Sequence, residues 1–288
     1  MEFKVSSAPF IHNNNTVSKM MQQLLYALIP GIVVYAYFFG WNIVVNLFLA
    51  TITALTCEAL MLWLRKRPVR QFISDYSAIV TAFLLALALP PFVPWWITVL
   101  GTAFAIIVAK HLYGGLGYNL FNPAMVGYAV LLISFPLQMS DWSIILDTIS
   151  GATPLETMKT ELRWQWINAA FLLGGCWLLY KRIITWHIPV AMLISLIIIS
   201  GIFFLINPNL YPNPLFHLLS GATIMGAFFI ATDPTTAATS NKARLIYAAG
   251  IGILIYVIRT WGAYPDAVAF AVLLMNMAAP TIDYYVKT

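Results

Sequence analysis

Residues 187–206 read His187-Ile188-Pro189-Val190-Ala191-Met192-Leu193-Ile194-Ser195-Leu196-Ile197-Ile198-Ile199-Ser200-Gly201-Ile202-Phe203-Phe204-Leu205-Ile206. Past the first histidine, no side chain in this run can carry a charge. A helix of this length rises about 30 Å, the thickness of a bilayer's hydrocarbon core. It is apolar on every side, and a helix without a polar face is buried in a large core or in lipid. The rest of the chain decides between the two. Of its 288 residues, 61% are hydrophobic and 9% charged, with a mean hydropathy of +0.84. A soluble domain has about a quarter of its residues charged. Lipid is therefore the solvent, and the fold class is an all-α polytopic membrane protein.

Outward from that run, nine more apolar segments are long enough to be spans or partial spans: 21–40, 43–64, 74–90, 94–112, 122–137, 165–181, 215–232, 244–260 and 264–282. Pro90-Pro91 and Asp233-Pro234 interrupt two of them, which predicts half-helices or re-entrant pieces there. The basic residues set the orientation. With the N-terminus inside, twelve lie on inner segments: Lys4, Lys19, Arg65, Lys66, Arg67, Arg70, Lys110, Lys181, Arg182, Lys242, Arg244 and Lys287. Only Lys159, Arg163 and Arg259 fall outside. That bias predicts cytoplasmic termini and an outer loop at 138–164. The net charge of +5 reads as topology, and nucleic acid is not an expected partner.

The halves resemble each other. Ser77-Ala78 opens a segment ending at Leu89-Pro90, and Ser220-Gly221 opens one ending at Asp233-Pro234. Ala129-Val130-Leu131-Leu132 returns as Ala271-Val272-Leu273-Leu274. The offsets are 220 − 77 = 143, 234 − 90 = 144 and 271 − 129 = 142. Five spans per half would make the second insert upside down, giving about ten transmembrane helices in two inverted five-helix repeats. The expected parts are a polar tail at 1–20, a first repeat at 21–137, the outer loop at 138–164, and a second repeat with a short C-terminus at 165–288.

The outer loop contains Ser150-Gly151-Ala152-Thr153-Pro154-Leu155. Gly151 and Ala152 leave no bulk beside the Thr153 hydroxyl, and glycine permits a tight approach by another protein. Pro154 cannot donate a backbone hydrogen bond, which discourages burial of the threonine in a helix or sheet. The same four residues recur as Ser220-Gly221-Ala222-Thr223, inside an apolar span where small residues favour helix packing and a soluble enzyme has no access.

Ser150–Thr153 resembles the flavinylation motif of the Rnf and Na+-pumping NADH:quinone reductase families. The longer string through Leu155 is similar to the D subunit family of the Rnf complex, and that likeness extends over nearly the whole chain. It implies FMN joined by a phosphoester to Thr153, with Ser150, Gly151 and Ala152 forming the motif that an FMN transferase reads. It also implies a bacterial cytoplasmic membrane location and neighbouring subunits that hold the NAD site and iron–sulfur clusters. The assembly would exchange electrons between NADH and ferredoxin and couple this to ion transport, with no stand-alone catalytic residue here. Ile149, Leu155, Trp142 and Trp164 are candidates to cover the flavin ring, the tryptophans alternatively being interfacial anchors.

Other residues yield narrower expectations. Glu58, in the second span, should be protonated, paired with a cation or lining a wet cavity. Asp75 stands at the start of the third span, and Asp233 and Asp266 stand at helix breaks; Glu58 and Asp75 are the candidates to line an ion path, with helix capping the alternative for the three aspartates. Cys57 and Cys176 are too few and too far apart for a metal centre of their own. His12, His111, His187 and His217 form no HExxH, and Gly114-Gly115-Leu116-Gly117 lacks a dinucleotide fingerprint. The competing class is a solute channel or transporter without a redox cofactor, which inverted repeats and broken helices suit equally.

Overall fold

A computed structural model describes residues 17–140, 154–262 and 267–286, apart from the side chains of residues 71 and 154–162. Among them every regular element is helical. The first half runs α1 (Val17–Phe39), α2 (Asn42–Leu64), α3 (Val69–Ile73), α4 (Ser77–Ala88), α5 (Trp95–Phe104), α6 (Pro123–Ser134) and α7 (Pro136–Ser140). The second runs α8 (Pro154–Tyr180), α9 (His187–Ile206), α10 (Pro214–Leu219), α11 (Thr223–Met225), α12 (Asn241–Trp261) and α13 (Val268–Tyr285). A π-helical stretch, Ala105–Leu112, continues α5, and a π turn, Gly226–Ile230, continues α11.

Six of the described helices are long and apolar enough to cross a membrane: α1, α2, α5 with its π stretch, α9, α12 and α13. In lipid the backbone must satisfy its own hydrogen bonds, which is why apolar runs of this length become continuous helices. The segments expected at 74–90 and 122–137 hold shorter helices, α4 and α6, of 12 residues each. Twelve residues rise only about 18 Å. The segment expected at 165–181 is the later part of the 27-residue α8. The one expected at 215–232 is divided among α10, α11 and the π turn.

Local chemistry explains the breaks. Asn122 caps α6, its Oδ1 accepting the N–H groups of Ala124 and Met125, with Pro123 in the first turn. Asn213 and Pro214 start α10 in the same way. These N–H groups have no partner within the helix, and an asparagine oxygen supplies one. A left-handed residue precedes each short third-span helix: Tyr76 (φ 63°) before α4 and Gly221 (φ 59°) before α11. The element order of the two halves matches from α2/α9 onward, with offsets of 187 − 42 = 145, 223 − 77 = 146, 241 − 95 = 146 and 268 − 123 = 145.

The halves meet along α1 and α8, and again where α6 packs on α13. Gly31 of α1 lies under the Phe171 ring, and a side chain at Gly174 of α8 would run into the backbone carbonyl of Ala27. α9 and α12 are equally close. A Cβ at Gly252 would meet Met192 O, Leu196 N and Ser195 Oγ on α9. Such close backbone approach is the usual source of cohesion where burial from water is not on offer.

Candidate functional site

Ser150, Gly151, Ala152 and Thr153 lie outside the described residues, as do Trp142, Ile149 and Asp266. The helix that follows Thr153 is described. α8 starts at Pro154 and carries Trp164, Ile167, Asn168 and Phe171 into the wall of a cavity of about 720 Å³. Sites for small molecules and cofactors fall in this size range. The broken third span of the second half and the end of α12 add Phe216, His217, Ser220, Gly221, Arg259 and Trp261 to the lining. Trp164 packs edge-on against Phe39, ring centroids 5.7 Å apart, and Phe39 against Tyr35 at 4.7 Å. Trp164 is therefore held by an aromatic cluster at the cavity wall.

The polar part of the cavity is built around Arg259. Its Nη1 donates to the carbonyl of His217 at 2.7 Å. Its Nη2 donates to the carbonyl of Ser220 at 3.2 Å and to Thr223 Oγ1 at 2.8 Å. The Thr223 hydroxyl, fully buried, shares its own proton between the carbonyls of His217 and Ser220, 3.0 Å each. Packing was the sequence expectation for Thr223, and hydrogen bonding is added to it here. His217 is buried, and neither ring nitrogen has a hydrogen-bond partner among the described residues. Asn168 Nδ2 donates to the Leu219 carbonyl at 2.6 Å and ties α8 to this wall.

A second cluster lies between α2, α4 and the π stretch. Lys110 Nζ sits 2.9 Å from both carboxylate oxygens of Glu58 and donates to Ser77 Oγ at 2.8 Å. Ser77 Oγ donates to Asp75 Oδ1 at 2.6 Å, and Ser77 N donates to the same atom at 2.7 Å. His111 Nε2 lies 3.1 Å from Glu58 Oε2, close enough for an ion pair but poorly aligned for a hydrogen bond. Glu58, Lys110 and His111 are each 2% exposed. The wider π turn lets two consecutive residues reach one carboxylate, and such turns often mark functional places.

Of the alternatives open for Glu58, the structure selects pairing with a cation. Asp75 Oδ1 accepts the N–H of Ser77, the first residue of α4, at 2.7 Å. Asp233 holds a turn, accepting from Thr235 Oγ1 at 3.0 Å and Thr236 Oγ1 at 3.1 Å, with Asn122 Nδ2 at 3.5 Å. Lys110, counted among the inner basic residues at the end of the span 94–112, is a buried partner of Glu58. Sequence reasoning missed Lys110 as a ligand of Glu58, and Arg259 and His217 as cavity residues. One signal was present: a lysine directly after the apolar Ala105–Ala109 run needs a partner.

The NQR2, RnfD, RnfE family model matches residues 4–288. A protein of Aliivibrio salmonicida, named as the D subunit of an ion-translocating oxidoreductase complex, is 46% identical over an alignment 342 positions long, gaps included, covering 100% of this chain and 97% of that protein. Proteins of the same name from Salmonella paratyphi A and Salmonella typhimurium are 46% and 45% identical, with the same coverage. A match of that extent leaves no segment to another family, and the chain belongs to the NQR2, RnfD, RnfE family.

Proposed function

We propose that this chain is the membrane-embedded redox subunit of an ion-translocating oxidoreductase complex. In this reading it carries FMN through a phosphoester on Thr153 and seats the flavin ring in the cavity between α8, α10 and α12. The observation that carries the reading is chain continuity: α8 begins one residue after Thr153 and supplies the aromatic wall. Relatives named as subunits of such complexes support the assembly. The residues fit the group. Trp164 and Phe171 offer apolar faces, while Arg259, His217 and Asn168 offer polar atoms for the ring's edge. Bound flavin supplies the ability to take and pass single electrons and pairs. The protein's part is to orient the ring, exclude water with the aromatic walls and hold a positive charge nearby.

The charge distribution supports cytoplasmic termini and an outward 138–164 loop in a bacterial inner membrane, where an exported FMN transferase would meet Thr153. Counting only charges outside the buried cluster, eleven inner basic residues remain against three. A cysteine placed at Glu156 should react with an impermeant thiol reagent in intact cells, and one at Arg67 should not. The matching element order supports opposite insertion of the halves. Other subunits would supply the NAD and iron–sulfur chemistry.

The direct test is mass spectrometry. A tryptic peptide ending at Lys159 should carry the mass of FMN on Thr153, and an unmodified peptide from the assembled complex would reject the reading. Broken helices favour a second reading, a solute channel or transporter without flavin. Flavin fluorescence on the denatured chain separates the two, because a transported solute does not survive denaturation.

A further inference from the structure

Ser-Gly-Ala-Thr occurs twice, and flavin attachment uses one copy. The other, Ser220–Thr223, is folded around a guanidinium. Gly221 takes a left-handed φ of 59°, which glycine adopts without steric cost, and this turns the Ser220 carbonyl toward Arg259. A Cβ at Gly221 would stand 3.4 Å from Arg259 Nη2, so a larger residue would crowd the group. Thr223 adds a hydroxyl 2.8 Å from the same nitrogen. The planar fork of arginine meets three oxygens at fixed angles, which sets both its place and its plane. Arg259 also lines the cavity, next to the buried His217 whose ring nitrogens have no hydrogen-bond partner among the described residues.

We infer that the inner Ser220–Thr223 motif is a clamp that fixes Arg259 on the cavity wall, where the guanidinium tunes the reduction potential of the flavin seated there. This rests on the flavin reading of the cavity. When a reduced centre of a neighbouring subunit passes one electron to the ring, the ring gains one negative charge unless a proton follows. A cation already in place, with water excluded, favours that charge without having to reorganise. Thr223 acts through Arg259 and is a positioning residue.

The test uses the assembled complex, with the Thr153 flavin identified by its loss in Thr153→Ala. Redox titration follows its midpoint potential, and in-gel fluorescence follows its amount. Arg259→Gln should keep the flavin and shift the potential negative by at least about 59 mV, a tenfold change for one electron. Thr223→Val, which removes the hydroxyl and keeps the shape, should shift it less in the same direction. Arg259→Lys should restore part of the loss. An unmoved potential in Arg259→Gln, beside a moved one in Trp164→Leu, overturns the clamp and leaves the cavity reading intact. Unmoved potential and spectrum in all of these overturns the cavity reading as well. If Arg259→Gln does not assemble, Thr223→Val decides, and an unshifted potential there overturns the inference.

Discussion

The α2–α5 seam and the α9–α12 seam join corresponding helices of the two halves, yet they are closed by opposite means. In the first, Lys110 reaches Glu58 of α2 and Ser77 at the start of the short α4. In the second, Gly252 lets α12 lie against the backbone of α9 with no ion pair needed. Lys110 stands two residues before the end of its helix (112 − 110 = 2), as Arg259 does in α12 (261 − 259 = 2). Both cations also reach the entrance of the broken third span, at Ser77 and at Ser220. What differs is the surroundings. Lys110 is sealed between helices by a carboxylate, whereas Arg259 is half-buried, gripped by the His217 and Ser220 carbonyls and turned to the cavity wall. One geometric device thus closes the core in one half and lines a cavity in the other.

The comparison predicts its largest effect at the sealed pair. Glu58→Ala should cost about 3–5 kcal/mol in thermal or denaturant unfolding in detergent, because it strands a buried ammonium. Glu58→Gln with Lys110→Met should recover most of that loss. Equal destabilisation by the single and double variants would mean that the pair is not what holds the seam. A folded double variant that retains flavin but loses redox-driven ion uptake in vesicles would instead place the pair on the ion route.

The glycine seam should respond next. Gly252→Val puts a branched side chain against α9 backbone, which cannot yield as a flexible side chain would, and should cost about 1–3 kcal/mol by the same measurement. Stability within error of the parent would show that α9 and α12 are held apart from the backbone contact described.

Loss of a single hydroxyl is the most discriminating change. Ser77→Ala and Thr223→Val each remove one hydroxyl bonded to a cation, worth about 1–3 kcal/mol where buried. Both should lower stability by similar amounts, but only Thr223→Val should move the flavin potential. A shift in Ser77→Ala of the same size would erase the functional difference between the halves.

Much of this is legible in the sequence, and what is not has a physical reason. Residues 187–206 declare a membrane helix because the pattern is local. The segment expected at 122–137 does begin at the start of α6, because the Asn122 cap and Pro123 act within a few residues. Glu58 is recognisable as needing a partner but cannot be given one, since Lys110 lies 52 residues away on another helix and reaches it from a π turn. Lys110 falls within the span expected at 94–112, but hydropathy does not register the π stretch from which it reaches Glu58. The second Ser-Gly-Ala-Thr is set apart from the first by its apolar surroundings, which are local. Its grip on Arg259, 36 residues on from Thr223, needed the fold.

The central claim is that one Ser-Gly-Ala-Thr bears flavin and the other serves the cavity. In-gel flavin fluorescence of the denatured chain tests it most directly, on Thr153→Ala and Thr223→Ala prepared beside the parent from cells containing the FMN transferase. Thr153→Ala should give a dark band and Thr223→Ala a parent-like fluorescent one. A fluorescent band from Thr153→Ala, or a dark one from Thr223→Ala at equal protein, would contradict the claim.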